Sequence, residues 1–240
     1  MATHPSQSAK SNTKETTILP ILAGAFAAVL VLVPSMSSKF VNLWGLHVVG
    51  STLIFPITFI FNDVFTEVYG FARTRRVIWL GMAMQIFAAF FYWLIDVLPA
   101  PSFWSHQEAY HQILGQAPRI VLASLSAYFF GEFANSLVLS KMKFAQGGKR
   151  GRDQALRFVS STIVGEGIDS FVFMTVAFLG VMPTSDLYRV VLTIWGVKVA
   201  YEILALPVSI RLSNWIKERE RCDVADDPRE TSYNPFSVEV

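Results

Sequence analysis

Residues 77–98 have the sequence VIWLGMAMQIFAAFFYWLIDVL, with one acidic residue, Asp96, and no basic residue. A helix of about 20 apolar residues crosses the roughly 30 Å hydrocarbon core of a bilayer. The length and composition of this stretch therefore predict a membrane-spanning helix. Five more apolar stretches of similar length lie on either side of it along the chain. The six predicted spans are residues 18–34, 48–71, 77–98, 120–140, 158–182 and 190–210.

The overall composition agrees with a membrane protein. Of 240 residues, 52% are hydrophobic and 16% are charged, and the mean hydropathy is +0.42. A soluble domain contains about a quarter charged residues, so this chain lacks the polar residues that a water-facing surface needs. A helix satisfies its own backbone polar groups in lipid, and the alternation of membrane-spanning strands is absent. We therefore predict an all-α polytopic membrane protein with six transmembrane helices.

The distribution of Lys and Arg predicts the orientation of the spans. Cytoplasmic segments of membrane proteins carry an excess of these residues. With the N-terminus in the cytoplasm, all but four of the 20 Lys and Arg residues fall in cytoplasmic segments. We therefore expect both termini in the cytoplasm. The four exceptions are Lys39, Arg119 and Arg189 on the outer side, and Lys198 within the sixth span.

This topology divides the chain into three parts. They are a cytoplasmic N-terminal tail of residues 1–17, a six-helix transport domain of residues 18–212, and a cytoplasmic C-terminal tail of residues 213–240. The C-terminal tail is charged and contains Pro and Ser, so we expect it to be mobile and dispensable for transport. Because membrane topology explains the basic loops, no nucleic-acid partner is expected.

The sequence predicts no metal site and no cofactor. The outer loop of residues 99–118 contains His106 and His111, but two histidines five residues apart do not share a helical face. No third ligand is evident beside them. The chain also lacks a glycine-rich phosphate-binding loop. We therefore expect no ATP hydrolysis within this chain, and no enzymatic activity.

Charged residues inside the spans are the first candidates for function. An ionised side chain at the bilayer centre costs about 2.5–3.5 kcal/mol. The second span ends with Asn62, Asp63, Thr66, Glu67 and Gly70, which lie on one face of a helix. The apolar residues around them continue to the end of the predicted span. We therefore expect this polar face to point into the helix bundle rather than into the cytoplasm.

Spans four and five contain similar polar motifs, GEFANS at residues 131–136 and GEGIDS at residues 165–170. Each motif places a Glu, an Asn or Asp three residues later, and the following Ser on one helix face. Consecutive spans are antiparallel, so the two motifs are expected to meet across a cavity with opposite polarity. Transporters often bind their solutes at the membrane midplane between such related segments.

The sixth span contributes Lys198 and Glu202, which are spaced to form an ion pair or to contact a substrate directly. Acids outnumber bases among the charged residues inside the spans. A cavity with this balance favours a ligand rich in hydrogen-bond donors, or a cation, and disfavours anions such as nucleotides. The six interior acids are Asp63, Glu67, Glu132, Glu166, Asp169 and Glu202.

The sequence FNDVFTEVYG at residues 61–70, together with the two Gly-Glu motifs, resembles the queuosine precursor transporter family, a branch of the bacterial vitamin uptake transporters. The resemblance extends from the first span to the sixth and leaves out both tails. It implies a multi-pass importer in the bacterial inner membrane for 7-cyano-7-deazaguanine, with the 7-aminomethyl form as a further substrate. These compounds are salvaged to make queuosine in transfer RNA.

The chemistry of this purine-like substrate agrees with the candidate residues. One carboxylate can accept hydrogen bonds from both N1–H and the exocyclic amine of a 7-deazaguanine. The carbonyl oxygen of the deazaguanine needs a donor, which Asn62, Asn135 or Lys198 could supply. Tyr128 or Phe173 could stack on the flat ring. We expect recognition by Glu132, Asn135, Glu166 and Asp169, with Asp63 and Glu67 acting in recognition, gating or proton coupling. The predicted substrate-binding set is Asn62, Asp63, Glu67, Glu132, Asn135, Glu166, Asp169 and Lys198.

Three alternatives remain open from the sequence. The chain could import another donor-rich or cationic solute such as a vitamin. It could be the substrate-capturing subunit of a larger importer whose energy comes from a partner ATPase. An intramembrane enzyme with a carboxylate dyad is the third alternative, although the motifs contain no recognisable nucleophile. Small residues in the first span, such as Ala23 and Gly24, could also pack between two copies in a homodimer.

Overall fold

The computed structural model describes residues 17–36, 39–43, 46–115, 118–181 and 183–237. The predicted N-terminal tail, apart from Thr17, and residue 182 of the fifth predicted span lie outside these ranges. The elements in chain order are α1 (Ile18–Met36), β1 (Phe40–Leu43), β2 (Leu46–Val49), a 3₁₀ turn (Gly50–Leu53), α2 (Pro56–Tyr69), α3 (Phe71–Val97), α4 (Gln107–Leu114), α5 (Pro118–Ala145), α6 (Arg152–Phe178) and α7 (Thr184–Glu220).

Within the described residues, five helical stretches are long and apolar enough to cross a membrane: α1, α3, the stretch containing α5, α6 and α7. Their outward faces carry large apolar side chains, including Phe87 at 57% exposure and Leu204 at 81% exposure. Such faces fit a lipid environment, in which apolar side chains replace the polar surface of a soluble protein. The prediction of an all-α polytopic membrane protein is confirmed.

The second predicted span, residues 48–71, is not one continuous helix. Strands β1 and β2 form an antiparallel hairpin in which Phe40 pairs with Val49, and the 3₁₀ turn follows directly. Helix α2 begins at Pro56, a residue suited to the first turn of a helix because that turn leaves N–H groups without helical partners. An apolar run by itself does not distinguish a strand from a helix. The predicted span therefore combined the end of β2, the 3₁₀ turn and α2.

The chain nevertheless passes six times between the two ends of the bundle. The backbone N–H of Ile18 donates to Glu220 Oε1 at 2.5 Å, so the start of α1 and the end of α7 lie at the same end. An even number of passes is required, and α2 provides the sixth. We call this end the tail end, and the opposite end, with the β hairpin and α4, the hairpin end.

Helix α2 is the central element of the bundle. It has 14 residues and is about 21 Å long, which is shorter than the hydrocarbon core of a bilayer. Most of its side chains are buried, including those of Asn62, Asp63 and Glu67. The surrounding helices shield α2 from lipid, so it can carry the polar residues that an exposed span could not.

The C-terminal tail is folded against the tail end, contrary to the expectation that it is mobile. Helix α7 extends to Glu220, well beyond the predicted end of the sixth span at residue 210. After it, Asp226 accepts hydrogen bonds from the Phe71 backbone N–H at 2.9 Å and from Ser140 Oγ at 2.6 Å. Asp226 is only 7% exposed. We call residues 222–236 the docked tail.

Residues of α3 hold the end of the docked tail. Arg75 Nη1 donates to the carbonyl oxygens of Ser232 at 2.9 Å and Asn234 at 3.0 Å. Trp79 Nε1 donates to the carbonyl oxygen of Pro235 at 2.8 Å. The tail has few apolar residues, but it supplies backbone acceptors to the side-chain donors of Arg75 and Trp79. These hydrogen bonds explain why a polar segment is ordered.

Gly70 joins α2 to α3 and lies in close contact with the docked tail. Its φ angle is +82°, which favours glycine because a side chain is strained there. A Cβ atom at this position would lie 2.7 Å from Val224 Cγ1 and 2.8 Å from Asp226 Oδ1. The tail can therefore approach the α2–α3 junction closely only because residue 70 has no side chain.

Candidate functional site

The two Gly-Glu motifs meet at the crossing of α5 and α6. A Cβ atom at Gly131 would lie 2.8 Å from Asp169 Cβ and 3.2 Å from the Gly165 carbonyl oxygen. A Cβ atom at Gly165 would lie 2.7 Å from Asn135 Cβ and 3.0 Å from the Gly131 carbonyl oxygen. The contacts are reciprocal, as expected for two antiparallel copies of one motif. The motifs touch directly at their glycines instead of facing each other across a cavity.

The polar face of α2 is attached to α5 beside this crossing. Asn62 Nδ2 donates to the carbonyl oxygen of Glu132 at 3.1 Å, and Asn62 Oδ1 accepts from Ser136 Oγ at 2.9 Å. At the next residue of α2, Asp63 Oδ1 accepts a hydrogen bond from Asn135 Nδ2 at 2.7 Å. Both amide side chains therefore help to hold α2 and α5 together, and each polar atom of Asn62 already makes one hydrogen bond within the protein.

Glu132 has no hydrogen-bond partner for either carboxyl oxygen within the described part of the chain. Its side chain is 1% exposed and belongs to the α5 motif at the helix crossing. Buried polar groups are nearly always hydrogen-bonded in folded proteins. Two unpaired oxygens on one buried carboxylate therefore make Glu132 a candidate for binding a ligand with paired donors.

Lys198 pairs with the carboxylates of α6 rather than with Glu202. Its Nζ atom lies 2.8 Å from Glu166 Oε2 and 2.5 Å from Asp169 Oδ2. It also lies 4.1 Å from the centre of the Phe55 ring, a distance suited to a cation–π contact. The predicted Lys198–Glu202 pair is therefore wrong. Two carboxylates and an aromatic face on neighbouring elements attract the ammonium group more strongly than one carboxylate a turn away.

Glu202 consequently does not have Lys198, its neighbour on α7, as an ion-pair partner. It is 2% exposed, and neither carboxyl oxygen has a hydrogen-bond partner among the described residues. Asp63 Oδ2 is also without a partner. We call the following set the acidic cluster. It comprises Asp63, Glu132, Glu166, Asp169, Lys198 and Glu202.

Glu67 lies apart from the acidic cluster, in an ion-pair network at the tail end. Arg157 contacts both of its carboxyl oxygens, with Nε at 2.7 Å from Oε2 and Nη2 at 2.5 Å from Oε1. Lys217 Nζ donates to Oε1 at 2.5 Å. All three side chains are at most 1% exposed. These bonds join α2, α6 and α7 at the tail end.

The network continues into the docked tail. Lys217 lies 2.9 Å from Asp223 Oδ1, and Lys143 Nζ lies 2.5 Å from the same atom. Lys143 also donates to the carbonyl oxygens of Glu67 and Val224, each at 2.5 Å. Burial alone would raise the pKa of Asp223, but the hydrogen bonds from Lys143 and Lys217 outweigh this effect and lower it. The tail end is therefore closed by charged groups that compensate one another.

Sequence reasoning missed this network because its bases had another explanation. Lys143, Arg157 and Lys217 were assigned to cytoplasmic segments as determinants of topology. Each lies near the end of a long helix, where the alkyl stem can pack against the bundle. The spacing of Glu67 and Arg157, 90 residues apart, contains no local signal that pairs them.

The aromatic residues predicted to stack on a ring lie in packed surroundings. Tyr128 is 4% exposed, and its hydroxyl group donates to the Ile78 carbonyl oxygen at 3.0 Å. Phe173 packs against a separate apolar cluster with Met174 and Leu187. Phe55 contacts Lys198, so the structure brings to the acidic cluster an aromatic residue that was not predicted there.

The outer-loop histidines form no metal centre within the described residues. His111 Nδ1 lies 2.6 Å from Asp96 Oδ2, and this hydrogen bond raises the pKa of His111. His106 stacks edge-on against Trp104 with ring centres 5.4 Å apart. These contacts fix α4 to the end of α3.

Comparisons with known proteins bear on this arrangement. Residues 49–212 match the model of a protein family described as "Putative vitamin uptake transporter". The chain belongs to this vitamin uptake transporter family. No solved structure matches it significantly.

Two curated proteins that are similar to this chain carry the name "Probable queuosine precursor transporter". The relative from Bacillus subtilis (strain 168) is 29% identical over 183 residues, which cover 76% of this chain and 79% of the relative. The relative from Haemophilus influenzae (strain ATCC 51907 / DSM 11121 / KW20 / Rd) is 25% identical over 137 residues, covering 57% of this chain and 54% of the relative. The resemblance predicted from the span-two and Gly-Glu motifs is confirmed.

The region matched by the vitamin uptake transporter family contains the whole acidic cluster. It begins in β2 and ends within α7, so it includes α2, α5 and α6 but leaves out the docked tail. Membership and the apolar helices together make this chain a multi-pass membrane transporter. The acidic cluster is the candidate solute site of that transporter.

Proposed function

We propose that this transporter imports queuosine precursors across the bacterial inner membrane. Its principal substrate is 7-cyano-7-deazaguanine, and the 7-aminomethyl form is the second. The names of the two relatives and the donor-seeking character of the acidic cluster support this assignment. The cytoplasmic location of both termini belongs to the same proposal and rests on the distribution of Lys and Arg.

The observation that carries the proposal is the buried, unpaired carboxylate of Glu132. Its two oxygens match the parallel donors on the N1–H and amine edge of a 7-deazaguanine, as they would match the fork of an arginine side chain. Lys198 supplies a donor for the carbonyl oxygen of the ring, since it is the member of the acidic cluster with a 13% exposed side chain. Phe55 offers the adjacent aromatic surface.

The acidic cluster is closed from the tail end in this structure. Glu67, Arg157 and Lys217 form the gate, and solute release requires their separation. Asn62 and Asn135 position α2 against α5 and shape the site, since their amide groups donate between these helices. This division of roles narrows the predicted substrate-binding set, which contained Asn62, Asn135 and Glu67, with gating among the roles predicted for Glu67.

The test is calorimetric binding of 7-cyano-7-deazaguanine to the purified protein in detergent. We expect Glu132→Gln to lose at least about tenfold in affinity, because an amide replaces one of the two acceptors with a donor. Glu218→Gln is the matched control, since Glu218 is 70% exposed and pairs with Arg150 at the tail end. Guanine and a guanine nucleotide serve as ligand controls. Unchanged binding in Glu132→Gln would remove Glu132 from the site.

A cationic vitamin-like solute is the second candidate. The Lys198 ammonium group between Glu166 and Asp169 shows that this pair of carboxylates accepts a primary ammonium ion. The same calorimetric assay separates the candidates. Failure to bind either deazaguanine, in protein with a normal melting temperature, would favour this solute class or a substrate-capturing role with a partner ATPase.

A further inference from the structure

Glu202 belongs to the acidic cluster, but the proposed contacts with the solute come from Glu132, Lys198 and Phe55 and leave Glu202 without a role. It lies on α7 with 2% exposure, and both carboxyl oxygens lack a hydrogen-bond partner within the described residues. An ionised carboxylate without a partner is strongly disfavoured in an apolar interior. A neutral carboxylic acid at the same place leaves no charge uncompensated.

The charged groups around Glu202 do not compensate it. The groups that act on it from the neighbouring helices are both acids, Asp63 of α2 and Glu166 of α6. On α7 itself, Lys198 lies one turn away but is engaged with Glu166 and Asp169. Lys198 therefore supplies no ion pair to Glu202.

Three other acids of the cluster have contacts that stabilise their charge. Asp63 accepts a hydrogen bond from Asn135, and Glu166 and Asp169 share Lys198. Glu132 lacks a partner among the described residues, as Glu202 does, but the proposed function gives the two oxygens of Glu132 to the solute. Glu202 is therefore the unpaired acid of the cluster that is left to hold a proton.

We propose that Glu202 is a proton-binding site and that its proton crosses the membrane together with the solute. The step is the addition of H⁺ to the Glu202 carboxylate on the outer side and its release on the inner side, with no other bond changed. Proton binding rests on the geometry alone, whereas cotransport also rests on the proposed function. A bound proton lets α7 reorient without carrying a bare charge through the membrane interior.

Infrared difference spectroscopy tests proton binding without any solute. We expect the purified wild-type protein at neutral pH to show a carbonyl band of a protonated carboxyl group that shifts in D₂O. Glu202→Gln should remove this component, Glu202→Asp should shift it, and the exposed control Glu218→Gln should leave it unchanged. An identical band in the wild-type protein and both Glu202 variants would overturn the proposal. Glu202→Asp decides the matter if the Gln variant does not fold.

Transport in proteoliposomes tests cotransport with 7-cyano-7-deazaguanine as the probe. With the membrane potential clamped at zero, an acidic exterior should drive accumulation of up to about tenfold per pH unit in the wild-type protein. Glu202→Gln should only equilibrate the probe while still exchanging internal for external probe. Accumulation by Glu202→Gln equal to that of the wild-type protein would overturn cotransport. If the wild-type protein does not bind the probe, the proposed function fails, and the infrared result still decides proton binding.

Discussion

At the scale of single residues, Lys198 pairs with two acids of the cluster, Glu166 and Asp169. The carboxyl oxygens of Glu132 and Glu202 have no hydrogen-bond partner among the described residues. Under the proposed function, a neutral deazaguanine can bind Glu132 without disturbing this arrangement. An aminomethyl-deazaguanine carries its own ammonium group and has to compete with Lys198 for the carboxylates of α6.

Replacing Lys198 with Met is therefore expected to change the preference between the two precursors. The variant removes the competing ammonium group and leaves Glu166 and Asp169 as an uncompensated pair of acids. We expect the affinity for the aminomethyl form to increase relative to the cyano form by about tenfold, or about 1.4 kcal/mol. The measurement is the ratio of the two dissociation constants. Lys149→Met, at an exposed position between α5 and α6, is the control. A ratio equal to that of the wild-type protein would contradict the prediction.

Sequence identified every acid of the cluster, because a carboxylate within an apolar span is conspicuous. It did not assign their partners. Lys198 and Glu202 have the spacing of an ion pair, yet the rotamer of Lys198 depends on α6, whose packing is set by Gly131 and Gly165. Glu67 was grouped with Asp63 by periodicity, but its bases come from distant helices. Partners of buried charges are long-range information that local spacing does not contain.

At the scale of secondary-structure elements, the α5–α6 crossing carries the site. Each glycine lets the backbone of the partner helix approach to contact, as in close helix packing in membranes. The crossing places Glu132 and Glu166, which follow the two glycines directly, beside each other in the bundle. A change in helix separation would therefore move both carboxylates at once.

Gly165→Ala should destabilise this crossing. The new Cβ atom would lie 2.7 Å from Asn135 Cβ and 3.0 Å from the Gly131 carbonyl oxygen, so the helices must separate. We expect a loss of about 1–3 kcal/mol, as for other overpacked interiors, seen as a lower melting temperature in detergent.

Gly196→Ala in α7 is the matched control for this substitution. A Cβ atom there meets nothing within 4 Å, and alanine is the better helix former. The melting temperature of the control should equal or exceed that of the wild-type protein. Equal melting temperatures for the two variants would show that the crossing tolerates a methyl group and would contradict the tight packing.

The long helices were predictable from sequence and the second span was not. Apolar runs of bilayer length identify α1, α3, α5, α6 and α7, although four of their ten ends lie six or more residues outside the predicted spans. The run at 48–71 has the same composition but divides between β2, a 3₁₀ turn and α2. The 3₁₀ turn ends just before Pro56, where helix α2 begins. An apolar composition indicates that a segment is removed from water, whereas its backbone conformation depends on Pro, Gly and the neighbouring hairpin.

At the scale of the whole molecule, the docked tail connects the ends of three helices. Asp223 binds Lys143 of α5 and Lys217 of α7, while Asp226 binds the first residue of α3. This arrangement lies outside the predicted transport domain of residues 18–212. Whether that domain boundary holds in function remains a prediction, but the tail contributes to the folded structure of the bundle.

The lowered pKa of Asp223 predicts how this contribution depends on pH. A carboxyl group whose pKa is lower in the folded protein than in the unfolded chain stabilises the fold fully above the unfolded value of about 3.9. The stabilisation is lost as the pH falls through the folded value. We therefore expect Asp223→Asn to lower the melting temperature at pH 7 and to match the wild-type protein increasingly below about pH 4.

The exposed variant Glu230→Gln provides the control for this pH series. Its melting temperature should follow that of the wild-type protein at every pH. A constant difference between Asp223→Asn and the wild-type protein from pH 7 to the acid end would show that the side chain acts by shape rather than by charge.

The ribosome makes the docked tail after all the helices of the bundle. Glu67 waits for Lys217, which is 150 positions later in the chain, and the backbone of Phe71 waits for Asp226, 155 positions later. During synthesis, α2 and α3 therefore enter the membrane before these partners exist. The bundle can complete its tail end only after α7 and the docked tail have been made. A nonsense mutation at Cys222 would leave six inserted helices in which Lys143 and Lys217 lack Asp223 and the Phe71 backbone lacks Asp226.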